Sequence, residues 1–365
     1  MNQFDSLPYT YGEPSSTGKL KTEPADFLVE EVLPFDLSGS GEHLWLWIEK
    51  EGENTDWVAQ QLSKLAGIRV RDVGYAGLKD RHAITRQWFS LYLPGKENPT
   101  FENLTASSIS DLSAENSKSI NETANKSPSI NSTIRILNQI RHSRKLHTGA
   151  LQSNRFIILV RQIVGDQSEI EERLTTIKRE GVANYFGEQR FGKEGKNLDL
   201  VDRLFAGELT RLKSNKRGLI ISSARSYLFN LILAERVSQN NWNQSLTGDA
   251  FQLEGSDKWF VDDNSNNLAD RVNQKDIHPT GALFGEGDLP VFGECKNLEE
   301  KVLSNHQSWC QSLADLGLKQ DRRSLRLWPK NLNWQWQNDS TLLLSFELRS
   351  GSYATMLIRE LIKTN

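Results

Sequence analysis

The stretch "EHLWLWIEKEGENTDWVAQQLSKLAG", residues 42–67, changes its hydrophobic period part-way along. Residues 42–50 alternate as a half-buried strand does. From Asn54 the spacing becomes helical, with Trp57, Gln61/Leu62 and Leu65 on one side, a cap at Asn54 or Thr55, and Gly67 as the stop. "GYAGLKDRHA", residues 74–83, follows, and then "TRQWFSLYLPG", residues 85–95, reads as a second strand ended by Pro94-Gly95. Strand, helix, glycine turn, acid, strand is a way to deliver one carboxylate, Asp80, to a sheet edge. By itself Asp80 is open to four readings: a surface ion-pair partner, a helix cap, a metal ligand or a nucleophile. Its setting favours function, because a glycine-flanked turn orients the carboxylate and the cations Lys79 and Arg81 favour its charged form.

Working outward, 365 residues suffice for two domains and a substantial core. A net charge of -3 excludes a uniformly basic surface, so a nucleic-acid partner has to be held by a local cluster of Lys and Arg. Two distant cysteines, Cys295 and Cys310, and the lack of a signal-like or membrane-length apolar run imply a reducing, cytoplasmic setting. The six histidines do not group with cysteines or carboxylates at ligand spacing; His142 and His147 are out of phase for one helical face, and no metal is expected.

Residues 105–133 are almost entirely Ser, Asn, Thr and small charge, which predicts a disordered polar insertion with too little apolar surface to offset its ordering entropy. Beyond it, Arg141, Arg144, Lys145 and Arg155 surround a strand at Phe156–Val160. A solvated basic face is the ordinary reading of such a run, and a phosphate-contacting edge the sharper one. "GVANYFGEQRFG", residues 181–192, concentrates Asn184, Tyr185, Phe186, Gln189, Arg190 and Phe191, side chains suited to a flat polar ring. Residues 206–333 then read as helices and Gly/Asp/Trp-rich loops, before a strand at "STLLLSFELRSG" and an amphipathic closing helix at "SYATMLIRELIKT", with Ser352 as its N-cap. "GEGDLP" at 285–290 is no dinucleotide loop, since Pro290 follows and no helix does; Walker A and GxSxG patterns are absent.

Six ordered blocks resemble the tRNA pseudouridine synthase D (TruD) family: "GKLKTEPADFLVEEV" (18–32), "GYAGLKDRHAITRQWFS" (74–90), "RKLHTGALQSNRF" (144–156), "GVANYFGEQRFG", "PTGALFG" (279–285) and "RSGSYATMLIREL" (349–361). The resemblance implies an α+β protein. Its pseudouridine synthase domain, on a mostly antiparallel mixed sheet flanked by helices, takes residues 1–205 and 334–365. An inserted α/β TRUD domain takes 206–333, and tRNA lies in the cleft between them. It implies isomerisation of uridine 13 in the D arm, with no cofactor and no metal; separately, a monomer is expected. Asp80 resembles the family's catalytic aspartate and Lys21 its basic partner. Phe27 and Phe186 are expected as apolar walls for the uracil, Asn184 as a reader of the base edge, and Gln189, Arg190, Lys79 and Arg81 as further substrate contacts. Arg141, Arg144 and Lys145 are expected on the RNA backbone. Phe186 stands where most other pseudouridine synthase families carry a tyrosine. Two rival classes share these residues: a non-catalytic RNA-binding protein, and a metal-dependent phosphodiesterase using Asp80 and His82.

Overall fold

The computed structural model describes residues 6–81, 83–101, 133–262 and 267–364. Apart from Thr133, the expected polar insertion lies outside the described residues, as does His82. In chain order come β1 (Phe27–Val32), β2 (His43–Glu51), α1 (Thr55–Leu65), β3 (Val73–Tyr75), β4 (Ile84–Tyr92), β5 (Thr133–His142) and β6 (Ser153–Val164). Then follow α2 (Gln167–Glu180), β7 (Val182–Ala183), α3 (Ser214–Ser238), β8 (Ala250–Leu253), β9 (Trp259–Val261), β10 (Ile277–Leu283), α4 (Gly293–Leu303), α5 (Gln307–Asp315), β11 (Asp321–Ser324) and β12 (Arg326–Leu327). The chain closes with β13 (Lys330–Asn338), β14 (Thr341–Arg349) and α6 (Ala354–Arg359).

Packing divides the chain into two units, one of residues 18–164 and 330–350, the other of 1–17, 165–329 and 351–363. Sequence reading drew its boundaries at 205/206 and 333/334. Residues 165–205, expected with the sheet domain, pack instead with 206–329: Asn184 bonds to the backbone of Ser324 and Leu325, and Phe186 to Asn230.

The first unit is built on a mixed sheet in the order β13-β14-β6-β1-β4-β2-β5, with β3 also on β4. Every pairing in that series is antiparallel except β1 with β4, which runs parallel with Leu28 opposite Ile84. The two-residue period of β2 sorts its side chains. Leu44, Leu46 and Ile48 face Val58, Ala59 and Leu62 of α1 together with Phe89 and Leu91. Trp45 goes to the other face, against Ala76, Leu146, Leu151 and Trp88. Each fully buried leucine here contributes about 2 kcal/mol. A parallel pair needs a crossover, and β2, α1 and β3 supply it. Its last segment, leading into β4, carries Asp80.

The second unit packs Leu228 and Ile232 of α3 against Ala282, Leu298, Leu303 and Leu313, beside an antiparallel sheet β9-β8-β10-β11 and a small pair β7-β12. Two buried ion pairs, Arg236–Asp249 and Arg322–Glu299, sit in it at 3.1 and 2.6 Å. The closing helix is shorter than expected and its N-cap is Tyr353, not Ser352. It stops after Arg359, and the buried carboxylate of the next residue, Glu360, takes the backbone N–H and the hydroxyl of Thr10.

Candidate active site

Lys21 and Asp80 lie 59 residues apart yet meet at 2.6 Å, Nζ to Oδ2. The parallel register of β1 and β4 is the cause. Lys21 precedes β1 and Asp80 precedes β4, and both segments enter adjacent strands from the same end. Lys21 holds a left-handed backbone (φ 55°), uncommon for a lysine and a mark of imposed geometry. The turn between it and β1 is anchored by the buried Asp26, which accepts from the Glu23 N–H at 3.0 Å and from Arg161 at 2.8 Å. The ammonium also rests 4.5 Å from the centre of the Phe27 ring. With the Asp80 side chain 34% exposed, the pair adds at most about 1 kcal/mol to folding; what it provides is a charge-balanced carboxylate, aimed and still reachable.

The loop bearing Asp80 is pinned from several sides. Gly74 enters it where a Cβ would lie 2.2 Å from the Leu146 carbonyl oxygen, so only glycine fits. The Thr55 hydroxyl accepts from the Lys79 N–H (3.0 Å) and donates to Gln87 Oε1 (2.9 Å). Gly52 N–H donates to the Arg81 carbonyl at 3.0 Å. The Lys50 ammonium reaches the carbonyls of Glu53 (2.8 Å) and Asp80 (3.4 Å). Lys79, expected to touch substrate, turns inward to Glu31 at 2.7 Å, and burial pushes the Glu31 carboxyl up. Arg81 stays exposed.

In the second unit, the Asn230 side chain of α3 clasps the backbone of Phe186, accepting its N–H (2.8 Å) and donating to its carbonyl (3.0 Å). The Arg323 guanidinium lies 4.1 Å from the Phe186 ring centre, and Nη2 of Arg323 donates to Asn184 Oδ1 at 2.8 Å. Phe229 and Tyr353 meet Phe186 edge-on, and burial pushes the Tyr353 phenol up. Asn184, expected to read a base, is buried with its amide engaged by Ser324 and Arg323. Gln189 is exposed, and Arg190 Nε donates to Ser226 at 3.2 Å.

A family model described as "tRNA pseudouridine synthase D (TruD)" matches residues 3–206 and 201–361. The chain belongs to the tRNA pseudouridine synthase D family. Relatives named tRNA pseudouridine synthase D include one from Hydrogenovibrio crunogenus, 47% identical over 97% of this chain and 95% of the relative. Another, from Nitrosococcus oceani, is 43% identical over 98% of this chain and 94% of the relative. In fold the chain is similar to a crystal structure from Methanosarcina mazei described as a tRNA pseudouridine synthase D, with TM-score 0.66 and 21% identity over 98% of this chain and 96% of that one. TruD proteins are isomerases that make pseudouridine in tRNA, so the expected enzyme class and the mixed, mostly antiparallel sheet both hold.

Of the expected site residues, the structure brings Lys21, Asp80 and Phe27 together in one unit and Asn184, Phe186 and Arg190 in the other. In the expected RNA-contacting patch, Arg141 is committed to Asn98, Leu93 O and Lys96 O, and Lys145 to Arg71 O, while Arg144 is exposed. Sequence reading missed Lys50, Asn230 and Arg323. Asn230 had a signal, a lone amide in the apolar run "LFNLILA"; Lys50 had none, since it reads as the polar end of a strand. Among the described residues no helix is long and apolar enough to cross a membrane, and no three His, Cys, Asp or Glu side chains gather as a metal site.

Proposed function

We propose that this TruD protein converts uridine 13 in the D arm of tRNA to pseudouridine, with Asp80 as the catalytic carboxylate and Lys21 as its positioning partner. The observation that carries the proposal is the Lys21–Asp80 contact at 2.6 Å on a pinned loop with the carboxylate still accessible. In the reaction the N1–C1′ bond breaks, the base turns, C5 bonds to C1′, and the hydrogen of C5 is replaced by one on N1. Atoms balance with no external reagent, as an isomerisation without a cofactor requires; the same proposal has the protein acting as a monomer in the cytoplasm without a metal. Three routes are open to Asp80: attack on C1′, addition to C6, or removal of a ribose proton.

Phe186, Arg323, Gln189 and Arg190 are assigned to capture of the extruded base, with the buried Asn184 holding Arg323 and with 206–333 as the family's TRUD domain. Uridine in folded tRNA is stacked, and an aromatic face offsets part of the cost of extruding it. A base stacking on the Phe186 face that Arg323 covers displaces that guanidinium, which then becomes available to phosphate. Phe27 contributes beneath Lys21. Asp80→Asn tests the proposal. Pseudouridine formation at position 13 should vanish while tRNA affinity stays within several-fold, because phosphate contacts dominate binding. Turnover close to wild type, or modification at another uridine, sinks it.

A further inference from the structure

We propose that Lys50, outside any contact with substrate, is a positioning residue for the reaction: its ammonium ties the Asp80 backbone to the start of α1 and keeps the carboxylate loop in its productive shape. The proposal rests on Asp80 being the catalytic carboxylate. Lys50 stands at the end of β2 and is only 1% exposed, so no phosphate or base can reach it. Its two acceptors are backbone carbonyls on different segments, Glu53 before α1 and Asp80 itself. A buried ammonium is costly, and a strand end has no need of one. Here it is balanced by Asp80, Glu53 and Glu31 and opposed by Lys79. Beside this clamp, Gly52 N–H to Arg81 O and Lys79 N–H to the Thr55 hydroxyl draw the same two segments together. Lys50 is the titratable member of the set.

Burial lowers the Lys50 ammonium from its ordinary value to about 8, with Lys79 acting in the same direction and Asp80, Glu53 and Glu31 opposing it. Below that pH the clamp is charged and made. Above it Lys50 keeps fewer donors and loses its charge, so the Asp80 loop loosens. Displacement of a reacting group by about 1 Å costs on the order of 10²-fold in rate. For stability the sign runs the other way. Between about 8 and the ordinary lysine range of 10.5 the unfolded chain binds the proton that the folded chain has lost, so this group's contribution to folding stability rises with pH.

The test is single-turnover pseudouridine formation at saturating enzyme, from neutral pH to about 9, for wild type, Lys50→Gln and Lys50→Met, with tRNA affinity and melting temperature measured alongside. Wild type should lose rate along an alkaline limb centred near pH 8. Lys50→Met should be slower by on the order of 10²-fold at neutral pH, with affinity unchanged and no such limb. Lys50→Gln, which keeps one donor but no charge, should fall between them, also without the limb, and it carries the comparison if Lys50→Met does not fold. Ionisation of the uracil N3–H would produce a limb common to all three proteins and is thereby separated. A wild-type profile with no limb near pH 8 beyond the one common to all three proteins, the same pH 8 limb retained in Lys50→Gln, or a loss in affinity instead of rate overturns the proposal. Asp80→Asn assayed in parallel distinguishes the two failures. If that variant is active, the reading of Asp80 is wrong; if it is dead while Lys50→Met matches wild type, only the role of Lys50 falls.

Discussion

The two packing units hold their candidate site residues by opposite means. Around Asp80 the contacts are charges and backbone hydrogen bonds: Lys21 at 2.6 Å, Lys50 on the Asp80 carbonyl, Thr55 on the loop. Around Phe186 they are ring faces and edges, with one guanidinium over the ring and one amide fixing the backbone. The first arrangement aims a single reactive group, and little of it is apolar. The second buries the Phe186 ring, 5% exposed, beneath Arg323, so a base gains that face only when the guanidinium moves aside. On the proposed function, a change in the first should act on chemistry at constant affinity, and a change in the second should act on capture of the extruded base.

The strongest way to break this contrast is Lys21→Met. It removes the ammonium next to Asp80, and single-turnover rate should fall on the order of 10²-fold with tRNA affinity nearly unchanged. An equal fall in affinity, with full rate at saturation, would make Lys21 a phosphate contact. Next in size is Phe186→Ala. Truncating a stacking ring removes about 1–3 kcal/mol per base, so base capture should weaken by roughly 10- to 100-fold, whereas Phe186→Tyr should keep most activity. Tyr185→Ala is the comparison: both rings are buried, so both truncations should lower stability, and only Phe186→Ala should also weaken base capture.

Asn230→Ala sharpens the contrast from the other side. It leaves the Phe186 N–H and carbonyl without their buried partner, at a cost of about 2 kcal/mol, read as a lower denaturant midpoint. The Asp80 loop belongs to the other unit, so the chemical step should be spared once capture is saturated. The smallest effect is expected for Arg144→Ala, an exposed cation in the patch first read as RNA-facing. Affinity should drop only a few-fold and the slope of log affinity against log salt should shrink by about 1. Arg141→Ala should also lower the melting temperature, because Arg141 holds the backbone carbonyls of Leu93 and Lys96. A melting temperature equal to wild type would return Arg141 to the RNA-contacting set.

Much of this was legible locally. Alternation in "EHLWLWIEK" marked β2, the helical spacing from Trp57 to Leu65 marked α1, and "TRQWFSLY" marked β4, because which face a side chain takes depends only on the period of its own segment. Helix ends were less legible. Ser352 has the chemistry of a cap, but α6 begins one residue later with Tyr353 as its N-cap, and just past its other end Glu360 is held by Thr10, 350 residues away.

By itself the sequence determined the family and the strands and helix around Asp80, since ordered blocks and local periods survive without knowledge of what lies opposite; residues 206–333, read as helices and loops, also hold the strands β8 to β12. Only the tertiary structure decided the partners. It turned Lys79 inward to Glu31, spent Arg141 on backbone carbonyls of the protein itself, covered Phe186 with Arg323, and set Lys21 on the Asp80 carboxylate and Lys50 on the Asp80 carbonyl. The Lys21–Asp80 meeting follows from the parallel register of β1 with β4, and the Arg323–Phe186 contact from packing inside the other unit. Register is a relation between segments, so no window of sequence contains it.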